Sequence, residues 1–229
     1  MKISPTLTEV KEIAKTGKYD ILPVSCEILS DFITPIEAMR ILQNVSTHCY
    51  LLESAQANEA WGRYTFLGYD PKLEINCIDG HMKLGKLSVE TENPSEYIRQ
   101  ILSEYKSPKF DYMPSFTGGL VGYFSYDYLG YKEKSIRGKA RDTEDFKDVD
   151  LMLFDKVIAF DNLCQKIILI ANMSLDAPET GYNKAIVEIK QLRELLMHGE
   201  KKQNMGGKLL GEVTPLFEKE QYCEMVEKA

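Results

Sequence analysis

Glu53, Ser54 and Arg63 are the residues whose chemistry stands out first. They lie in Leu51-Leu52-Glu53-Ser54-Ala55 and in Trp61-Gly62-Arg63-Tyr64-Thr65-Phe66-Leu67-Gly68. Two neighbouring strands would deliver a carboxylate, a hydroxyl and a guanidinium to one place. Such a set can hold a zwitterion, with Glu53 facing an ammonium while Ser54 and Arg63 face a carboxylate. An amino acid is the ligand this chemistry suits. The same residues also allow a plainer arrangement, in which Glu53 and Arg63 pair with each other and Ser54 caps a turn.

A second stretch, Pro114 to Tyr128, interleaves Gly118, Gly119 and Gly122 with aromatic residues. Glycine inside a strand costs stability, so its use there points to another backbone or a ring packed close by. Inter-sheet packing is the simplest account, and Tyr123, Tyr126 and Asp127 are candidates to line a pocket or an interface. Other constellations are missing. The three histidines, His48, His81 and His198, are scattered and form no metal-ligand spacing with Cys, Asp or Glu. There is no nucleophile elbow and no phosphate loop, and Gly118-Gly119-Leu120-Val121-Gly122 has the wrong spacing for a dinucleotide loop. No catalytic residue and no metal site is expected in this chain.

The chain's 229 residues, 44% hydrophobic and 28% charged, are enough for one large or two small domains with a real core. A formal charge of −7 disfavours nucleic acid as a partner. No apolar run approaches the ~20 residues that cross a bilayer, and the N-terminus has no signal core, so a cytoplasmic protein is expected. The five cysteines are odd in number and widely spaced, which reads as reduced thiols.

The elements that would position the two motifs follow from capping and periodicity. Thr6-Leu7-Thr8-Glu9 and Thr34-Pro35-Ile36-Glu37 are capping boxes that start two helices, and Asn93-Pro94 starts a third. Tyr19 to Leu29 reads as an edge strand because of Pro23, Val45 to Leu52 as an alternating strand, and Arg63 to Leu67 as another. Asp79-Gly80 between Leu73–Ile78 and His81–Leu84 marks a hairpin. Asp150 to Phe160 and Gln165 to Ala171 read as buried strands joined through Asp161-Asn162, followed by a long helix closed at His198-Gly199. Helices and hairpins without βαβ alternation predict an α+β fold on a mainly antiparallel, sandwich-like sheet core. Residues 1–199 form the first region, 200–212 a linker, and 213–229 a new amphipathic helix that stops without a cap. The expectation is that the polypeptide continues past Ala229; a frayed natural end is the alternative.

Leu-Leu-Glu-Ser followed by Gly-Arg-Tyr-x-Phe-Leu-Gly, and then Phe-x-Gly-Gly-Leu-Val-Gly-Tyr-Phe-x-Tyr-Asp, resemble the N-terminal region of anthranilate synthase large components over essentially the whole chain. The motifs are shared with aminodeoxychorismate synthase large components. The resemblance implies a lyase of tryptophan biosynthesis that makes anthranilate and pyruvate from chorismate, with ammonia supplied from glutamine by an amidotransferase subunit, component II. It places the chorismate site and the Mg2+ ligands in the later part of the polypeptide, so this chain alone is not expected to catalyse. It also implies an allosteric feedback site for L-tryptophan at Ser54, with Glu53 beside it and Arg63 as a weaker member. A free-standing amino-acid-binding module is the alternative from another class.

Overall fold

The computed structural model describes residues 2–54, 62–135, 145–203 and 206–228. The six-stranded sheet contains β1 (Ile3–Ser4), β2 (Ile21–Leu29), β3 (Cys49–Leu52), β4 (Tyr64–Tyr69), β10 (Lys156–Asp161) and β11 (Lys166–Ser174), in the order β1-β2-β11-β10-β4-β3. The five-stranded sheet contains β5 (Leu73–Ile78), β6 (His81–Leu84), β7 (Leu87–Glu90), β8 (Gly119–Phe124) and β9 (Val149–Phe154), in the order β7-β6-β5-β9-β8. Every pairing is antiparallel. With the helices α1 (Leu7–Lys15), α2 (Pro35–Val45), α3 (Pro94–Ser103), α4 (Pro178–His198) and α5 (Lys219–Lys228) among the described residues, the fold is the expected α+β, mainly antiparallel architecture.

The core follows from which faces these strands must bury. Leu22, Val24, Cys26, Leu67, Ile158, Phe160, Ile167 and Leu169 point from one face of the six-stranded sheet into a cluster with Val10, Ile41, Leu42, Ile189 and Leu192 of the helices. The opposite face buries Val157, Ala159, Ile168 and Ile170 with Tyr64, Phe66 and Phe116. Burial on both faces explains why Ile167 to Ile170 is a continuous apolar run instead of an alternation. The five-stranded sheet has its own cluster, including Ile75, Met82 and Leu151 against Ile98 of α3.

Both capping boxes form as expected: Thr6 with Glu9, and Thr34 with Glu37. The Asp79-Gly80 hairpin also forms, with φ of 48° and 83°. Several expectations need correction. Val45 belongs to α2, and β3 starts only at Cys49; between them the Ser46 hydroxyl accepts from the amides of His48 (3.2 Å) and Asp70 (3.0 Å), making a turn where alternation suggested a strand. Strand β2 is not at the edge. The two-residue β1 lies outside it but reaches only Ser25 and Cys26, so Pro23 still needs no donor on that side. Asn93 does not cap α3, because its Oδ1 accepts from Ser95 Oγ at 2.7 Å and Lys132 Nζ at 3.2 Å.

Asp150 to Phe160 is two strands, not one. The chain leaves the five-stranded sheet at Phe154 and enters the six-stranded sheet at Lys156, with Asp155 between. Asn172 secures this crossing by donating from its backbone N and from Nδ2 to the Asp155 carbonyl (2.8 and 3.0 Å) and from Nδ2 to that of Thr117 (2.6 Å). Gly199 ends α4 with φ −65°, so it is no left-handed cap; a Cβ there would lie 2.4 Å from the Leu195 carbonyl and 2.5 Å from Ile41 Cγ2. Close packing selects the glycine.

Candidate functional site

Leu52 of β3 pairs with Phe66 of β4, so Glu53 and Ser54 leave the six-stranded sheet at the end where Arg63 leads into β4. Both Glu53 and Ser54 are exposed. Ala55 and Trp61 of the motif, with the residues between them, lie outside the described residues. At the same end, Asp161 of β10 pairs with Tyr64, and Lys166 of β11 pairs with Asp161. Four strand ends therefore bring Glu53, Ser54, Arg63, Asp161 and Lys166 to one rim of the sheet.

Arg63 is not left to Glu53. Its Nε donates to Asp161 Oδ1 (3.1 Å) and Oδ2 (3.2 Å), and its Nη2 donates to Oδ2 at 2.6 Å, a bidentate fork across 98 residues of sequence. The guanidinium also sits 4.9 Å from the centre of the Tyr64 ring. Asp161 is only 4% exposed, and Oδ1 further accepts from the amides of Leu163 (3.2 Å) and Cys164 (3.0 Å). Burial pushes its carboxyl up, but the hydrogen bonds from Arg63 and the Cys164 amide outweigh that and hold it below the usual carboxylate range. The hydrogen bond to Asp161 correspondingly raises Arg63.

Lys166, the other nearby cation, is held by Glu27 at 2.8 Å. Among the described residues, no hydrogen bond or ion pair engages the Glu53 carboxylate. Arg63 pairs with Asp161 and not with Glu53. Sequence reasoning missed Asp161, which read only as part of a hairpin turn; nothing local ties it to a residue 98 positions away.

The glycines of the second motif lie on or beside β8 in the other sheet, while its Phe116 packs against Phe66 of β4. A Cβ on Gly122, at φ +153°, would fall 1.9 Å from the Asp150 carbonyl, and one on Gly118 would fall 2.5 Å from Asn172 Nδ2. Backbone and side-chain packing accounts for these glycines. Tyr123 and Asp127 are exposed and Tyr126 is 87% exposed, so they lie on the surface. Among the described residues, no group of three or more His, Cys, Asp or Glu could hold a metal, and no helix is long and apolar enough to cross a membrane.

Comparison with known proteins adds the family. A sequence model described as chorismate binding enzyme matches residues 47–229. The chain is 32% identical to the anthranilate synthase component 1 of Acetivibrio thermocellus over 98% of this chain and 47% of that protein. It is 34% identical to the protein of the same name from Pseudomonas aeruginosa, over 82% of this chain and 39% of that one. In fold it is similar to the crystal structure of anthranilate synthase component I from Streptococcus pneumoniae, with a TM-score of 0.57 and 23% identity over 88% of this chain and 43% of that chain. The chain spans about half the length, or less, of these relatives. By the match that runs through most of its residues, the chain belongs to the chorismate binding enzyme family.

Proposed function

We propose that this chain is the N-terminal, tryptophan-sensing region of an anthranilate synthase component 1, an enzyme that converts chorismate and glutamine-derived ammonia into anthranilate and pyruvate. The names of its relatives support the enzyme, and the free Glu53 carboxylate beside Ser54 supports the sensing site. Glu53 takes the tryptophan ammonium, Ser54 faces the carboxylate, and Arg63 stands behind them at the start of β4. Tryptophan bound here favours a state of low chorismate affinity, which requires that it bind the two states unequally.

Residues 1–199 form the regulatory region, 200–212 the linker, and 213–229 the first helix of the part that binds chorismate. Phe217, Tyr222, Met225 and Val226 of that last segment are all exposed and α5 has no buried residue, as expected of a helix whose packing partner is the remainder of the polypeptide. The family's Mg2+ would be held in that remainder, and no residue of this chain is assigned to it. Component II supplies ammonia from glutamine.

The test is to assay the complete polypeptide with chorismate and ammonia, with and without tryptophan. Anthranilate as product and inhibition by tryptophan support the reading. Ser54→Ala should then raise the tryptophan needed for half-inhibition while leaving uninhibited turnover nearly unchanged. Aminodeoxychorismate as product would reassign the enzyme, and equal inhibition before and after the substitution would remove Ser54 from the site.

A further inference from the structure

Asp161 sits where it decides which carboxylate Arg63 takes. The register that ends at Leu52 and Phe66 brings Glu53, just past β3, and Arg63, just before β4, to the same rim of the sheet. Arg63 is held there by the buried Asp161 through Nε and Nη2, and not by Glu53. Asp161 is suited to win. Its Oδ1 also accepts from the Leu163 and Cys164 amides, which hold the carboxylate in place, whereas Glu53 is exposed and must give up rotamer freedom to pair. Lys166, the other nearby cation, is likewise occupied, by Glu27.

We infer that Asp161 is a positioning residue of the amino-acid site: by holding Arg63, it keeps the Glu53 carboxylate open for the ligand's ammonium. The inference rests on the tryptophan-sensing reading above. Without the Asp161 charge, Arg63 turns to Glu53 and the ligand has to compete with an internal ion pair. The consequence is specific to the ligand: affinity for tryptophan falls although neither Asp161 nor Arg63 touches it, and removing Arg63 as well restores the open carboxylate.

The experiment measures tryptophan inhibition of the complete enzyme carrying Asp161→Asn, and carrying Asp161→Asn together with Arg63→Gln. Asp161→Asn is expected to raise the half-inhibiting tryptophan concentration by about tenfold or more, the scale of one hydrogen bond to a charged group. The kcat and the KM for chorismate stay unchanged. The double variant, a neutral pair of similar shape, is expected within about threefold of the unmodified enzyme. Unchanged inhibition in Asp161→Asn overturns the inference. So does a double variant as insensitive as the single one, because Arg63 would then be a direct ligand. If Asp161→Asn fails to fold, the double variant alone decides by the same threshold. If neither folds, the unmodified enzyme decides: indole-3-propionate, which lacks the ammonium, must inhibit at least about tenfold more weakly than tryptophan, and equal inhibition overturns the inference. A complete, unmodified enzyme that tryptophan does not inhibit overturns the sensing reading itself, a result these variants cannot mimic.

Discussion

Arg63 and Asp161 meet through a two-point fork, with Nη2 of the arginine 2.6 Å from Oδ2 of an aspartate that is 4% exposed. The pair joins the start of β4 to the end of β10, and Asp161 also fastens the following turn through two amides. It is at once the closure of one sheet end and the boundary of the candidate ligand site.

That pair makes stability depend on acidity. The folded-state pKa of Asp161 is depressed, so its contribution is fully present above the unfolded value near 4 and is lost as pH falls through the lower folded value. Urea unfolding followed from pH 6 down to pH 2 should show a loss of stability below about pH 4 that is smaller in Asp161→Asn. Asp161→Ala at neutral pH should cost about 2–3 kcal/mol, less than for a fully buried pair because the guanidinium is 37% exposed. An unchanged acid limb in Asp161→Asn would assign the transition to other carboxylates.

Tyr50 carries a buried hydroxyl with no hydrogen-bond partner, and its ring packs 4.7 Å from that of Phe154. Tyr50→Phe removes an unpaired polar atom and keeps the ring, so it should be neutral or stabilise by up to about 1 kcal/mol. Denaturant midpoints test this, and a clear destabilisation would mean that the hydroxyl is paired in solution. The ring itself explains Gly68, where a Cβ would lie 2.2 Å from Tyr50 Cε1.

Gly122 and Gly17 both have positive φ, 153° and 61°, but differ in surroundings. A Cβ on Gly17 meets nothing within 4 Å, while one on Gly122 runs into the Asp150 carbonyl. Gly17→Ala should cost about 1–2 kcal/mol, the left-handed backbone penalty alone. Gly122→Ala must add separation of β8 from β9 and should cost clearly more. Equal thermal shifts for the two would show that conformation, not contact, selects Gly122.

Thr34 caps α2 in a reciprocal arrangement with Glu37, which also pairs with Lys201. Thr34→Ala should cost about 1 kcal/mol. High salt should leave that loss nearly intact, because a neutral hydroxyl makes the cap, whereas it screens the exposed Glu37–Lys201 pair. A loss that vanishes in salt would shift the credit to the ion pair.

Legibility in the sequence tracked the range of the interaction involved. The capping boxes at Thr6 and Thr34 and the Asp79-Gly80 turn involve residues within four positions of one another, and they formed as read. Val45 is not legible as helical because alternation over Val45 to Leu52 imitates a strand, while the Ser46 turn that follows α2 also engages Asp70, 24 residues away. The switch between sheets at Asp155 carries no local mark, since both flanking segments are apolar and strand-forming.

By itself the sequence determined the residue types at the candidate site, the strand ends that carry Glu53, Ser54 and Arg63, and the antiparallel α+β class, because each rests on local pattern and backbone preference. Only the tertiary structure decided that Arg63 belongs to Asp161 and that Glu53 is left open. Which of two carboxylates a guanidinium takes depends on burial and on which strand ends meet, and both exist only once β3, β4, β10 and β11 lie side by side.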